Sequence, residues 1–175
     1  MLEQYQVKPI SKVLTEDQCQ YCIESIENTK PEEVIEGKSH RKLYSFSREK
    51  ETYKQIFEIC DKITKTTINP DLESRELFIV EYKPGYRVTK HKDRGIGEKT
   101  VTRAYTLVIQ LSPESHYTGG KTLIYNNGST FELNQIRGSG IIFDSGLEHE
   151  VTTIETGNRF SLAILYHKTI KKVVI

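Results

Sequence analysis

Leu77-Phe78-Ile79-Val80-Glu81-Tyr82-Lys83-Pro84-Gly85-Tyr86-Arg87-Val88-Thr89-Lys90-His91 places two short runs on either side of a Pro-Gly turn. The same texture continues downstream in Ala104–Leu111, Thr122–Tyr125, Thr130–Leu133, Gly140–Asp144, His149–Ile154 and Arg159–Tyr166. Gly119-Gly120, Asn126-Asn127-Gly128, Gly138, Gly146 and Gly157 punctuate these runs. Short apolar or alternating runs bounded by turn residues predict a closed or sandwiched β architecture. Asn127-Gly128 between two runs is a hairpin signal, because both residues accept positive φ.

Upstream of Glu76 the pattern changes. Tyr5–Ile10 reads as a short strand. Thr15 and Gln18 form a capping box that opens a helix over about Glu16–Asn28. A charged, irregular stretch follows from Thr29 to Lys50. A second helix over roughly Glu51–Lys65 carries Tyr53, Ile56, Phe57, Cys60 and Ile63 at helical spacing. Helices first and strands after let the helices brace one face of a sheet. The expectation is a mostly β, α+β chain forming one domain over 1–175. Residues 1–75 would be helical support with a substrate loop, and 76–167 the β core. The long mixed segment Thr29–Arg48, with Arg41, Tyr44, Phe46 and Arg48, is one expected wall of a substrate groove. The glycine-bearing turn Arg94–Lys99 is the other. A plain solvated loop explains either segment equally well. The tail Lys168–Ile175 reads as a strand or an ordered end.

The composition is that of an ordinary globular protein, 36% hydrophobic and 28% charged, with a net charge of +1. A near-neutral chain argues against a protein that grips phosphate backbones. No apolar run has the length of a membrane span, and MLEQYQVKPI lacks a signal-peptide core. A soluble, intracellular, cytoplasmic protein is expected, with no membrane partner; the sequence does not show its oligomeric state. Cys19, Cys22 and Cys60 make no disulfide framework. Cys19-Gln20-Tyr21-Cys22 has CxxC spacing, but no second pair exists for zinc and no strand precedes it. The better account is the apolar stripe of the first helix, with Ile23 and Ile26.

Chemistry concentrates around His91-Lys92-Asp93. Residues i and i+2 of a strand point the same way, so His91 and Asp93 can reach one metal with Lys92 directed away. His149 would arrive from another strand. Two nitrogen donors and one oxygen donor suit Fe(II) and leave positions for a bidentate cosubstrate and O2. On its own, HxD in a chain with five histidines is also what a surface histidine beside an acid looks like. Arg159 and Ser161 strengthen the reading. They share a strand face, and Leu162, Ala163, Ile164 and Leu165 suggest burial on both sides. A guanidinium there requires an anion, and a bound carboxylate would supply it. His40, His116 and His167 read as solvated or capping residues.

These residues resemble the Fe(II)/2-oxoglutarate-dependent oxygenases, in particular their prolyl 4-hydroxylase-like branch. Leu14-Thr15-Glu16-Asp17-Gln18-Cys19 is similar to the family's opening helix, and Phe78–Gly85 to the strand and turn before its HxD. Gly119-Gly120-Lys121-Thr122 resembles its double-glycine strand entry. Gly140–Ser145, His149-Glu150-Val151 and Gly157–Leu162 resemble its C-terminal half. The resemblance implies a double-stranded β-helix, a jelly-roll barrel, with N-terminal helices packed on one sheet. It implies His91, Asp93 and His149 as iron ligands. Arg159, helped by Ser161, would bind the 5-carboxylate of 2-oxoglutarate. Tyr82, Thr122 and Val151 would line the cosubstrate pocket, although core packing accounts for Tyr82 equally well. Gln110-Leu111-Ser112 departs from the Tyr-Leu of many relatives, so Gln110 would take over the tyrosine's hydrogen bond, or the pocket is arranged differently. The usual last-strand tryptophan is absent, with Leu165-Tyr166 near its place.

The implied activity is hydroxylation of a peptidyl residue, proline before any other, with 2-oxoglutarate going to succinate and CO2. Fe(II), 2-oxoglutarate and O2 would be required, ascorbate would serve as reductant, and the partner would be a peptide or protein. Alternatives keep the cofactors and change the target to a free amino acid, another small molecule or an alkylated base. A non-catalytic cupin-like barrel binding metal or carbohydrate is a further one, but it would have no need of Arg159.

Overall fold

The computed structural model describes residues 6–169. Its elements are β1 (Val7–Ile10), α1 (Glu16–Glu24), β2 (Glu32–Glu36), β3 (Ser39–Phe46), α2 (Glu51–Thr67), β4 (Leu72–Tyr82), β5 (Val88–His91), β6 (Arg103–Gln110), β7 (Tyr117–Gly119), β8 (Thr122–Asn126), β9 (Ser129–Glu132), β10 (Gly140–Asp144), β11 (Glu148–Val151), β12 (Ile154–Gly157) and β13 (Arg159–Lys168). One antiparallel sheet runs β1-β10-β6-β13-β4-β3-β2. A second runs β5-β11-β8-β9, and β12 pairs with β7. This is a mostly β jelly-roll with two bracing helices.

Period-2 alternation sets the layers. Leu77, Ile79, Leu107, Ile109, Leu162 and Ile164 are buried on one face of the large sheet. There they meet Cys19 and Cys22 of α1 and Tyr53, Ile56, Phe57 and Cys60 of α2. Each such side chain contributes about 1.5–3 kcal/mol by leaving water. Their sequence neighbours Phe78, Val80, Tyr82, Val108, Ser161 and Ala163 turn the other way and line a cavity facing the second sheet.

The first helix is held as its sequence suggests. The Thr15 side chain accepts from Gln18 N and the Gln18 side chain accepts from Thr15 N. Gly138 makes the junction possible. Its carbonyl accepts from Val13 N at 2.8 Å and Leu14 N at 3.3 Å, its φ is +86°, and a Cβ would stand 2.2 Å from Leu14 O.

Several boundaries differ from the sequence reading. The stretch expected to be irregular, Thr29–Lys50, contains the β2–β3 hairpin, and β3 pairs with β4 to extend the large sheet. The 1–75 segment is therefore as much strand as helix. Its outer strand, Glu32-Glu33-Val34-Ile35-Glu36, is charged because it is an edge, where charge discourages pairing with other chains. α1 ends at Glu24 rather than Asn28. The run His149–Ile154 divides into β11 and β12. Tyr5 and residues 170–175, parts of two segments read as possible strands, lie outside the described residues. Among the described residues, no helix is long and apolar enough to cross a membrane.

Candidate functional site

His91 closes β5 and stands directly opposite His149 of β11 in the antiparallel register. Their ring centroids are 4.2 Å apart. Asp93 is not on the strand with His91, as an i, i+2 argument would have it, because β5 ends at His91. It is placed instead by the backbone: Asp93 N and Arg94 N both donate to Ser145 O, at 3.0 and 2.8 Å. Its carboxylate oxygens then lie 3.4 Å from His91 Nε2 and 3.4 Å from His149 Nε2. One ligand atom from each of the three residues falls within 4.8 Å of the others. This donor set can hold a divalent transition metal on one face.

The surroundings orient every donor. His91 Nδ1 hydrogen-bonds Thr89 O at 2.9 Å and His149 Nδ1 hydrogen-bonds Leu147 O at 3.1 Å. A carbonyl can only accept, so in both rings Nδ1 carries the proton and Nε2 is turned to Asp93. Thr106 donates to Asp93 Oδ2 at 2.7 Å, and its oxygen lies 3.0 Å from Ser145 Oγ. Burial by itself would raise the Asp93 carboxyl. The imidazoles of His149 and His91 outweigh it and hold the group well below the usual carboxylate range. Burial would lower His149, but Asp93 and the Leu147 carbonyl carry it above the ordinary histidine value.

The three donors share a cavity of about 200 Å³ with Tyr82, Thr122, Val151 and Ser161. Arg159 lies beside it, 1% exposed. Its Nη2 donates to Thr122 Oγ1 at 2.9 Å and its Nε to Gln110 Oε1 at 3.1 Å. Nη1 is buried with no partner, and among the described residues no carboxylate forms an ion pair with this guanidinium. The guanidinium carbon is 5.4 Å from the Tyr82 ring centroid, and Tyr82 also packs against Val80, Val88 and Ile154, so it serves both core and pocket. Gln110 does not line the cavity. Its amide nitrogen donates to Ser112 O and Tyr117 Oη, at 2.9 and 3.0 Å, which locks the oxygen toward Arg159.

Some contributors escaped the sequence reading. Thr106 carried a usable signal, since Thr106, Val108 and Gln110 alternate on one strand face. Tyr117 carried none, because it reaches Gln110 only through the fold. Arg103, whose Nη1 donates to Asp93 O at 3.2 Å, is anchored by Glu76 at 2.6 and 3.0 Å. Of the two expected groove walls, Thr29–Arg48 supplies Arg41 and Leu43 to the cavity, and Arg94–Lys99 supplies no lining residue. Arg94 is instead tied to Asp144 at 2.8 Å. His116 is exposed, as expected. His167 is not solvated: it is 3% exposed, between Glu76 Oε2 at 3.0 Å and Thr102 Oγ1 at 2.8 Å. The three cysteines are free and buried in the helix-facing core.

Residues 77–167 match the sequence model of the 2OG-Fe(II) oxygenase superfamily. No curated protein matches the chain in sequence. Among solved structures, a Pseudomonas putida prolyl-4-hydroxylase is similar in fold, with 19% identity, a TM-score of 0.79, and 97% of this chain and 96% of that one covered. A Trichoplax adhaerens prolyl hydroxylase in complex with a hypoxia inducible factor peptide fragment has 14% identity, a TM-score of 0.75, and coverage of 93% and 83%. A non-heme alpha ketoglutarate dependent epimerase from nogalamycin biosynthesis has 10% identity, a TM-score of 0.75, and coverage of 94% and 78%. Identities this low carry the fold and not the substrate.

Proposed function

The chain belongs to the 2OG-Fe(II) oxygenase superfamily, and from that premise we propose that it is a 2-oxoglutarate-dependent dioxygenase hydroxylating a peptidyl residue, proline before any other. In this reading the chain acts as one unit, with residues 1–75 as support for the catalytic barrel at 76–167. The observation that carries the reading is Arg159, a fully buried guanidinium with an unpartnered Nη1 beside the cavity that holds His91, Asp93 and His149. An unpaired buried cation is costly, and a carboxylate ligand removes the cost.

The residues fit the family's cofactors. His91, Asp93 and His149 would hold Fe(II), with both Nε2 atoms and a carboxylate oxygen as donors. Arg159 would take the distal carboxylate of 2-oxoglutarate, with the Ser161 and Thr122 hydroxyls nearby. Bound together, Fe(II) and 2-oxoglutarate supply the activation of O2, with succinate and CO2 as products and ascorbate as the reductant that maintains the ferrous state.

The chain's own part is positioning. Thr106, Thr89 O and Leu147 O fix the donors, and fixed donors bind without reorganising. Val80, Val88, Val108 and Val151 give the cavity apolar walls that exclude water from the reacting centre. Peptide chemistry is favoured by the likeness to prolyl hydroxylases, one of which is seen with a peptide. A second reading keeps the cofactors and places a small molecule in the cavity; the likeness to an epimerase and the modest cavity volume favour it. The experiment is incubation with Fe(II), 2-oxoglutarate and ascorbate against proline-containing peptides and free amino acids, with mass spectrometry for the gain of one oxygen. Oxygenated peptide supports the first reading. Oxygenation confined to free amino acids supports the second.

A further inference from the structure

Arg41 lies on β3 two residues from Leu43, so both side chains turn to the same face, and both line the cavity. The same cavity is lined by His91, Asp93 and His149. Cations near the site are otherwise committed: Arg103 to Glu76, Arg94 to Asp144, Lys90 over the Tyr125 ring. Arg41 is half-buried, its backbone lies in the β2–β3 ladder, and among the described residues its guanidinium forms no ion pair and no side-chain hydrogen bond. It is a guanidinium pointed at a reaction cavity with nothing to hold.

The charges of the loaded site sharpen this. The formal charges of Fe(II), Asp93, Arg159 and the two carboxylates of 2-oxoglutarate cancel. Glu76 offsets Arg103. What remains at the cavity is the positive charge of Arg41, which favours an anion that neither protein nor cofactor provides. We infer that Arg41 binds a carboxylate of the primary substrate, so that the enzyme selects molecules with an acidic group beside the carbon to be oxidised. A planar guanidinium fork matches a carboxylate in two parallel hydrogen bonds. The carboxylate has two sources, an Asp or Glu next to the target residue in a peptide or the α-carboxylate of a free amino acid. The inference rests on the proposed oxygenase reading and names its substrate class.

The test uses matched pairs: peptides with proline followed by glutamate or by glutamine, and L-proline beside L-prolinamide. Binding to protein loaded with Mn(II) and 2-oxoglutarate is read by calorimetry, and oxygenation by mass spectrometry. The acid member of at least one pair binds roughly 10- to 100-fold tighter, as expected for hydrogen bonds to a charged group. The pair that shows the preference identifies the source. R41Q erases it, R41K keeps part of it, and R41E reverses it in favour of a proline–lysine peptide, an outcome that misfolding does not produce. Equal binding of acid and amide, a preference that survives in R41Q, or failure of every probe to bind overturns the inference. Calorimetry reads Arg41 without turnover, so loss of 2-oxoglutarate decarboxylation counts against the proposed function alone.

Discussion

Thr106 donates its hydroxyl proton to Asp93 Oδ2 at 2.7 Å, and that one bond decides which way the carboxylate faces. The other oxygen, Oδ1, is the one nearer His91. T106V keeps the shape of the side chain and removes the donor. Metal affinity is expected to fall by about 10- to 100-fold, with T106S close to wild type. Competitive titration with a chromophoric chelator measures it. Unchanged affinity in T106V would mean that the backbone clip at Ser145 suffices.

Arg159 should link cosubstrate binding to stability. In wild type loaded with Mn(II), 2-oxoglutarate at about a hundred times its Kd adds about 2.7 kcal/mol to unfolding. R159M removes a buried charge together with its anion site. Its melting temperature should hold or rise without ligand, and the 2-oxoglutarate-dependent increment should vanish. R159K should also lose most of it, because an ammonium cannot reproduce the fork that now engages Gln110 and Thr122. Thermal melts with and without 2-oxoglutarate decide the matter.

Acid should expel the metal early. His149 is held above the ordinary histidine value by Asp93, so a proton occupies the site at a pH where free imidazole is already bare. Metal affinity therefore falls as pH drops through the raised His149 value, by roughly tenfold per unit for each proton displaced. In the metal-free protein the two partners act in opposite directions. The raised His149 stabilises the fold at pH below its unfolded value, near 6.5, and loses that effect as pH rises through its folded value. The depressed Asp93 stabilises above about 3.8 and loses that effect as pH falls through its folded value. Apo stability should peak between these limits, and chelator titrations and melts across pH measure both trends.

The cysteines should be inert in the native state. Burial pushes Cys19 up to about 11 and Cys22 up to about 12, and it raises Cys60 as well. At pH 8 almost no thiolate is present, so a thiol reagent should label the native protein orders of magnitude more slowly than the unfolded chain. Fast native labelling at Cys19 or Cys22 would revive the CxxC motif as redox chemistry.

Gly138 should tolerate no side chain. At φ +86° and with Leu14 O 2.2 Å from where a Cβ would sit, G138A must move the β1–α1 junction. A cost of about 3 kcal/mol is expected in denaturant unfolding. Gly138 N also donates to Gln110 O at 2.8 Å, so the displacement reaches the residue that holds Arg159, and cosubstrate affinity in the fraction that remains folded should weaken as well.

The large-sheet strands β4 and β13 were readable because their alternation is regular: Leu77, Ile79 and Leu162 on one face, Val80 and Ser161 on the other. Arg159 was readable for a different reason. A charge inside an apolar run has to be answered by something, and the run itself showed burial. The hairpin Glu32–Phe46 was not readable, since an edge strand of three Glu in five residues has the composition of a loop. Arg41 therefore falls in a stretch that reads as irregular, although it sits on a sheet. Asp93 lies beside His91, but strand alternation does not put it there: the strand stops at His91 and Ser145 O takes over. Tyr117 and the Gln110 clamp on Arg159 depend on pairs far apart in sequence, and local pattern holds no trace of them.

Succinate formation from 2-oxoglutarate under Fe(II), O2 and ascorbate, with purified wild type beside H149A and R159M, decides whether the chain is an oxygenase. Wild type should form succinate in an iron-dependent manner. H149A should lose it by roughly two orders of magnitude or more, as removal of a metal ligand does. R159M should lose it at low 2-oxoglutarate and recover in part at high concentration. A wild type without succinate formation at saturating iron, or an H149A protein that matches it, would contradict the assignment.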